Sequence, residues 1–153
     1  MKPEKLKPGP TPILMADDDA MDRTLTQEAF LEAGLTGPLY FVEDGEQLLH
    51  YLRGEGPYGD RQRFPMPGVV LLDLNMPRLD GWGCLKAIRH DPSLKHLPVV
   101  VMTTSTQAEE VMRSYRLGAS SFLCKPLEFD QLVAQIRGFG AYWCGIVELP
   151  PCE

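Results

Sequence analysis

At 153 residues the chain has the length of one domain rather than two ordinary ones. Its 44% apolar and 24% charged residues are the balance of an ordinary globular protein, and a net charge of −6 gives no help toward a nucleic-acid backbone. No apolar stretch approaches the roughly 20 residues that span a bilayer, and the charged start Met1-Lys2-Pro3-Glu4-Lys5 is no secretory signal, so the chain reads as cytoplasmic, with neither nucleic acid nor membrane as a partner.

Residues 1–10, rich in Lys and Pro, read as a flexible lead-in. Ile13 to Ala16 is a short apolar run that stops at carboxylates, as a buried parallel strand does. From Ala20 to Ala33, Met21, Leu25, Ala29 and Phe30 recur at helical spacing, with Gly34 placed to close the helix. Leu39 to Val42 is a second strand, and Leu48, Leu49 and Leu52 mark a short helix ending near Gly54. A loop over 54–67 precedes a third strand, Gly68 to Leu72, which ends at Asp73. The turn Asn75-Met76-Pro77-Arg78-Leu79-Asp80-Gly81 leads into a helix carrying Leu85 and Ile88. Pro98 to Met102 is a fourth strand ending at Thr103, and a helix from about Gln107 stops at Gly118. Ser121 to Cys124 is the fifth strand, ending at Lys125-Pro126. The last helix sets Phe129, Leu132, Val133, Ile136 and Phe139 on one face. Cys84, Cys124, Cys144 and Cys152 form no C-x-x-C pair and read as reduced thiols.

Five β–α units in succession predict an α/β fold: a doubly wound, five-stranded parallel sheet with helices on both faces, a (βα)5 arrangement of the flavodoxin type. Such sheets hold their polar ligands at the carboxyl ends of the strands, beside a switch in strand order. The strand-end residues are all chemical: Asp17 and Asp18, Asp73, Thr103 and Lys125. Carboxylates gathered at one sheet edge repel one another, and a hard divalent cation relieves them. Mg²⁺ keeps several waters and takes one or two carboxylates directly, which suits Asp18 and Asp73; Mn²⁺ suits the same oxygens. With the ammonium of Lys125 and the hydroxyl of Thr103, these are the parts that stabilise a transferring phosphoryl group, and an aspartate among them serves as nucleophile. Singly, each has a plainer reading. Asp17 to Asp19 contains a helix N-cap, for which Asp19 is favoured; Asp73 is a turn former, Thr103 a β-branched strand residue or cap, and Lys125 a solvated loop lysine.

The stretches Ile13-Leu14-Met15-Ala16-Asp17-Asp18, Leu71-Leu72-Asp73-Leu74-Asn75-Met76-Pro77, Thr103-Thr104 and Lys125-Pro126 resemble, in order and spacing, the receiver domain of two-component response regulators. The resemblance covers about residues 11–140 and implies phosphorylation of Asp73. It implies Mg²⁺ held directly by Asp18, by Asp17 mainly through water, by Asp73 and by the backbone carbonyl of Asn75. Thr103 is then the switch hydroxyl and Lys125 the partner of the phosphoryl oxygens. Phe122 is the switch aromatic, without the hydroxyl that a Tyr would bring. The Lys125–Pro126 bond is expected to be cis, a form that only an X-Pro bond adopts cheaply. The long loop before Asp73, the run Ile88 to Pro98 and the ending Tyr142 to Pro151 are similar to single-domain receivers that partner bacterial phytochrome kinases, which makes the phosphodonor a histidine kinase of the bacteriophytochrome type.

Residues 141–153 form an apolar tail in which Tyr142, Trp143, Ile146, Val147 and Leu149 either fold back on the domain or make an association face. Nothing after residue 140 is long enough for a DNA-binding output domain, so the output passes to a partner that reads the phosphorylated surface or to a downstream phosphotransfer protein. The tail, the helix at 107–117, strand 121–124 and the last helix are expected to form a homodimer contact that phosphorylation strengthens. Two readings compete. A phosphatase of the haloacid-dehalogenase type would use Asp17-Asp18-Asp19 as its D-x-D motif, but Ala20 stands where Thr or Val is usual and Asp73 has no task. A receiver fold used only for binding normally lacks one of the acids or the lysine, and here all are present.

Overall fold

The computed structural model describes residues 10–105 and 107–151. The lead-in over residues 1–9 and Cys152 lie outside the described residues. Strands β1 (Ile13–Ala16), β2 (Leu39–Val42), β3 (Val69–Leu72), β4 (Val99–Thr103) and β5 (Ser121–Cys124) alternate with helices α1 (Ala20–Glu32), α2 (Gly45–Arg53), α3 (Gly81–His90), α4 (Ala108–Arg116) and α5 (Phe129–Ala141). All four strand pairings are parallel, in the order β2-β1-β3-β4-β5. This is the doubly wound fold that the alternation predicts, with residue ranges within one or two positions of expectation.

The three central strands are apolar and buried on both faces, as strands covered by helices on either side must be. Alternate residues divide the core in two. Leu14, Ala16, Val70, Leu72 and Val101 face α2 and α3, with Leu48, Leu52, Leu85 and Ile88 against them. Ile13, Met15, Leu71, Val100 and Met102 face α1 and α5, meeting Phe30, Val133, Ile136 and Phe139. Each such side chain withdrawn from water contributes about 1.5–3 kcal/mol before chain entropy is subtracted.

Three details differ from the sequence expectation. On α1, Met21 and Leu25 are exposed, and the buried stripe is Thr26, Ala29 and Phe30. On α5, Phe129 sits at the first turn and is 38% exposed, so the face that packs begins at Leu132. The Lys125–Pro126 bond is trans, since there is no cis peptide bond among the described residues; trans is the resting preference of an X-Pro bond by about 0.5–1 kcal/mol, and the lysine reaches its partners in that form.

After α5 the helix widens into a π turn, Tyr142–Ile146, and then becomes extended at Val147. Trp143 packs against the α1/α5 side of the core. The irregular segment that follows runs back to the sheet, where Pro150 and Pro151 line a cavity with Met66, Gly68, His96 and Pro98, at the amino ends of β3 and β4. Of the two alternatives for the tail, folding back accounts for Trp143 and Pro150–Pro151, while Tyr142 and Ile146 remain exposed.

Candidate functional site

The strand order steps from β1 to β2 on one side and from β1 to β3 on the other, so the polar crevice lies where β1 and β3 end. Asp17 follows β1 without a break and is fully buried, its N–H donating to Val42 O. Its Oδ1 accepts from the N–H of Asp19 at 2.9 Å, closing the turn that starts α1. Asp19 is the N-cap, accepting from the N–H groups of Met21 and Asp22. That use of Asp19 removes it from the crevice, and with it the D-x-D motif of the phosphatase alternative. Asp18 is exposed at the mouth.

Asp73 ends β3, with its N–H donating to Ala16 O at 3.0 Å, so the register of β1 against β3 brings the two acidic strand ends level. Asp17, Asp18 and Asp73 each offer a carboxylate oxygen within 4.8 Å of the others. The N–H of Asn75 donates to Asp73 Oδ1 at 3.1 Å, which fixes the carboxylate and sets the Asn75 backbone beside it. The loop after it is tied down: Arg78, at φ +66°, donates to the buried N-cap Asp44 at 2.8 Å. Gly81 brings α3 close, for a Cβ there would stand 2.5 Å from Asp73 O.

Lys125 arrives from the end of β5, where its N–H donates to Thr103 O at 2.7 Å. Its Nζ donates to Asp17 Oδ2 at 2.8 Å and to Asp22 Oδ2 and Asp73 Oδ2 at 3.0 Å each. Burial works against the lysine's charge, but the hydrogen bond to Asp17 and the charges of Asp73 and Asp17 outweigh it and keep the ammonium protonated well above the usual lysine range. Burial also raises the Asp17 carboxyl above its ordinary value, against the lysine and the Asp19 N–H, which favour the anion. Three carboxylates on one ammonium, with Asp18 beside two of them, leave an excess of negative charge on hard oxygen donors, the setting that suits a divalent cation.

Thr103 closes β4, is 1% exposed, and its Oγ1 has no hydrogen-bond partner among the described residues. Phe122 pairs with Val101, two residues before Thr103, so the ring and the hydroxyl belong to the same face of the sheet. The ring is half-buried against the α2/α3 side of the core. The structure therefore gathers Asp17, Asp18, Asp73, Asn75 and Lys125 and lines Thr103 and Phe122 up behind them. Sequence reasoning missed Asp22, which bonds Lys125, and Arg23, whose guanidinium donates to Asp17 O at 2.8 Å and braces the turn. Their signal was faint: two charges in the first turn of a helix, one turn beyond the acid pair.

Comparison with known proteins agrees with this geometry. The family model for the response regulator receiver domain matches residues 13–137. Response regulator Rcp1 of Synechocystis sp. is 34% identical over 141 residues, which cover 92% of this chain and 94% of Rcp1. The crystal structure of response regulator RPA3017 in red light signalling of R. palustris is 37% identical, with a TM-score of 0.88 over 92% of this chain and 99% of that one. The phosphorylated cyanobacterial phytochrome response regulator RcpA is 33% identical, with a TM-score of 0.85 over 94% of this chain and 100% of that one. The Mn²⁺-bound form of Rcp1 gives a TM-score of 0.81 at 34% identity, over 93% of this chain and 100% of that one. No described helix is long and apolar enough to cross a membrane. With an acid pocket where β1 and β3 end and the family pattern over most of its length, the chain belongs to the response regulator receiver family, whose members are signalling phosphoacceptors rather than enzymes proper, and it stands close to the phytochrome response regulators.

Proposed function

We propose that this chain is a stand-alone receiver that takes a phosphoryl group from a phosphohistidine onto Asp73. The observation that carries the reading is the convergence of Asp17, Asp18, Asp73 and Lys125 at the ends of β1, β3 and β5. A carboxylate oxygen of Asp73 attacks phosphorus while the P–N bond breaks, and the bonding electrons leave with the imidazole nitrogen; the product is an acyl phosphate. Lys125 supplies positive charge to the phosphoryl oxygens, and the unpartnered Thr103 hydroxyl donates to one of them. Phe122, on the same face, turns into the space that Thr103 vacates and alters the α4–β5–α5 surface.

Asp17, Asp18, Asp73 and the Asn75 carbonyl would hold Mg²⁺, for which Mn²⁺ can stand in. When bound, the cation neutralises the carboxylates and draws off charge from the phosphoryl oxygens. The donor set fits: hard oxygens, more anionic charge than Lys125 alone balances, and a buried Asp17 that gains by a cationic neighbour. Likeness to phytochrome response regulators supports a bacteriophytochrome-type histidine kinase as the donor. The exposed Tyr142 and Ile146 beside α5 support a homodimer through that face, with a downstream phosphotransfer protein as the outlet for the phosphoryl group.

The test is incubation with acetyl phosphate and Mg²⁺ followed by intact-mass analysis. The chain is expected to gain one phosphoryl group, and Asp73→Asn to gain none while keeping its fold. A normal yield of adduct from Asp73→Asn would overturn the assignment.

A further inference from the structure

The ammonium of Lys125 has three N–H donors, and three carboxylates use them: Asp17 at 2.8 Å, Asp22 at 3.0 Å and Asp73 at 3.0 Å. A phosphoryl group on Asp73 brings three further acceptor oxygens and extra negative charge to the same place. The lysine can pair with them only by giving up a partner it already has. Asp17 is 0% exposed and Asp73 10%, so leaving either one strands a desolvated carboxylate. The Asp22 side chain is 38% exposed, so water can replace what it loses.

We infer that Asp22 is a positioning residue that competes with the phosphoryl group for Lys125. In the resting state it draws the ammonium toward α1, and on phosphorylation it is the partner that lets go. Its carboxylate then stays beside the new charge and opposes it. Asp22 thereby sets how easily the phosphorylated state forms, without touching the reacting atoms. The inference rests on the proposed function, because it requires Asp73 as acceptor and Lys125 as the partner of the phosphoryl oxygens.

The experiment measures the affinity of the full chain for beryllofluoride, an acyl-phosphate mimic, at saturating Mg²⁺, with thermal melting alongside. Asp22→Asn, which keeps the shape and removes the charge, is expected to bind about two- to five-fold more tightly, the range that a half-exposed ion pair allows. The gain is expected to shrink as salt screens the site. Asp22→Glu restores the charge and is expected to return the affinity to that of the parent chain. Equal or weaker binding by Asp22→Asn overturns the inference, as does a gain that Asp22→Glu shares. A parent chain that takes up no beryllofluoride overturns the proposed function instead, and the inference falls with it.

Discussion

The hydroxyl of Thr103 lies at the end of β4, buried and without a partner among the described residues, two residues along the same face from the position that Phe122 pairs with. A buried polar group in that state lowers stability, so exchanging it for a methyl should cost little. Thr103→Val is expected to leave the unphosphorylated chain as stable or up to about 1 kcal/mol more stable, read from urea midpoints. A loss of about 1 kcal/mol or more would mean that the hydroxyl has a partner. The same variant should lose the added stability that beryllofluoride confers through that donor. Thr103, Asp17, Asp73 and Lys125 were legible because each ends an apolar strand abruptly, and parallel strands put their carboxyl ends together. Asp22 was not. Its meeting with Lys125 joins residues 103 positions apart, and no local pattern marks which charge of a helical first turn faces inward.

At the scale of elements, the site depends on how closely α3 approaches the end of β3. The modest space is set by Gly81, whose absent Cβ would meet Asp73 O at 2.5 Å and Leu74 Cα at 2.6 Å, both backbone atoms that cannot swing aside. Gly81→Ala is therefore expected to lose about 2 kcal/mol or more and to weaken Mg²⁺ binding by shifting the Asp73–Asn75 backbone. Urea midpoints and a Mg²⁺ titration followed by the fluorescence of the neighbouring Trp82 would check both, and an unchanged Mg²⁺ affinity would free the site from dependence on this packing. Strands were the easiest elements to read, since unbroken runs of Val, Leu and Ile fit only sites covered on both faces. Helix faces were harder. Periodicity places Met21 and Leu25 on a stripe with Phe30, but the face of α1 that turns inward carries Asp22 and Arg23 at its first turn and Thr26, Ala29 and Phe30 beyond it, so those two stay in water. In α4, for which the sequence offered only the helix and its stop, the buried residue is Ser114, whose hydroxyl donates back to Glu110 O.

Over the whole molecule, tight burial of weak acids away from the site predicts the response to alkali. Burial, with smaller contributions from Asp80 and Asp44, pushes the Cys84 thiol from 9.0 up to about 12. Tyr51, buried beside Tyr40 and Tyr58, is raised too. Above pH 9 the unfolded chain releases the Cys84 proton while the folded chain keeps it, so the stability is complete below pH 9 and is lost progressively toward pH 12. Each such group sets a limiting slope of about 1.4 kcal/mol per pH unit. Urea midpoints followed upward from pH 9 should fall less steeply in Cys84→Ala than in the parent chain, and coincident slopes would refute the contribution of the thiol. That the sheet is parallel and doubly wound was legible from the alternation of elements; the order β2-β1-β3-β4-β5 came only with the structure. The course of the tail was not, because aromatic residues serve equally to cover a domain's own core or a partner's.

That course has a topological consequence. Leu149 and Thr11 both crowd Gly68, where a Cβ would stand 2.8 Å from Leu149 Cδ1 and 2.5 Å from Thr11 Cγ2. The two outer stretches of the described chain thus converge at the amino ends of the strands, the pole opposite the acid pocket. Joined there by a short link, the backbone would form a ring with all five strand ends undisturbed, and it could be reopened in the 54–67 loop. The order in which the elements follow one another along the chain is therefore separable from the arrangement that gathers Asp17, Asp73 and Lys125.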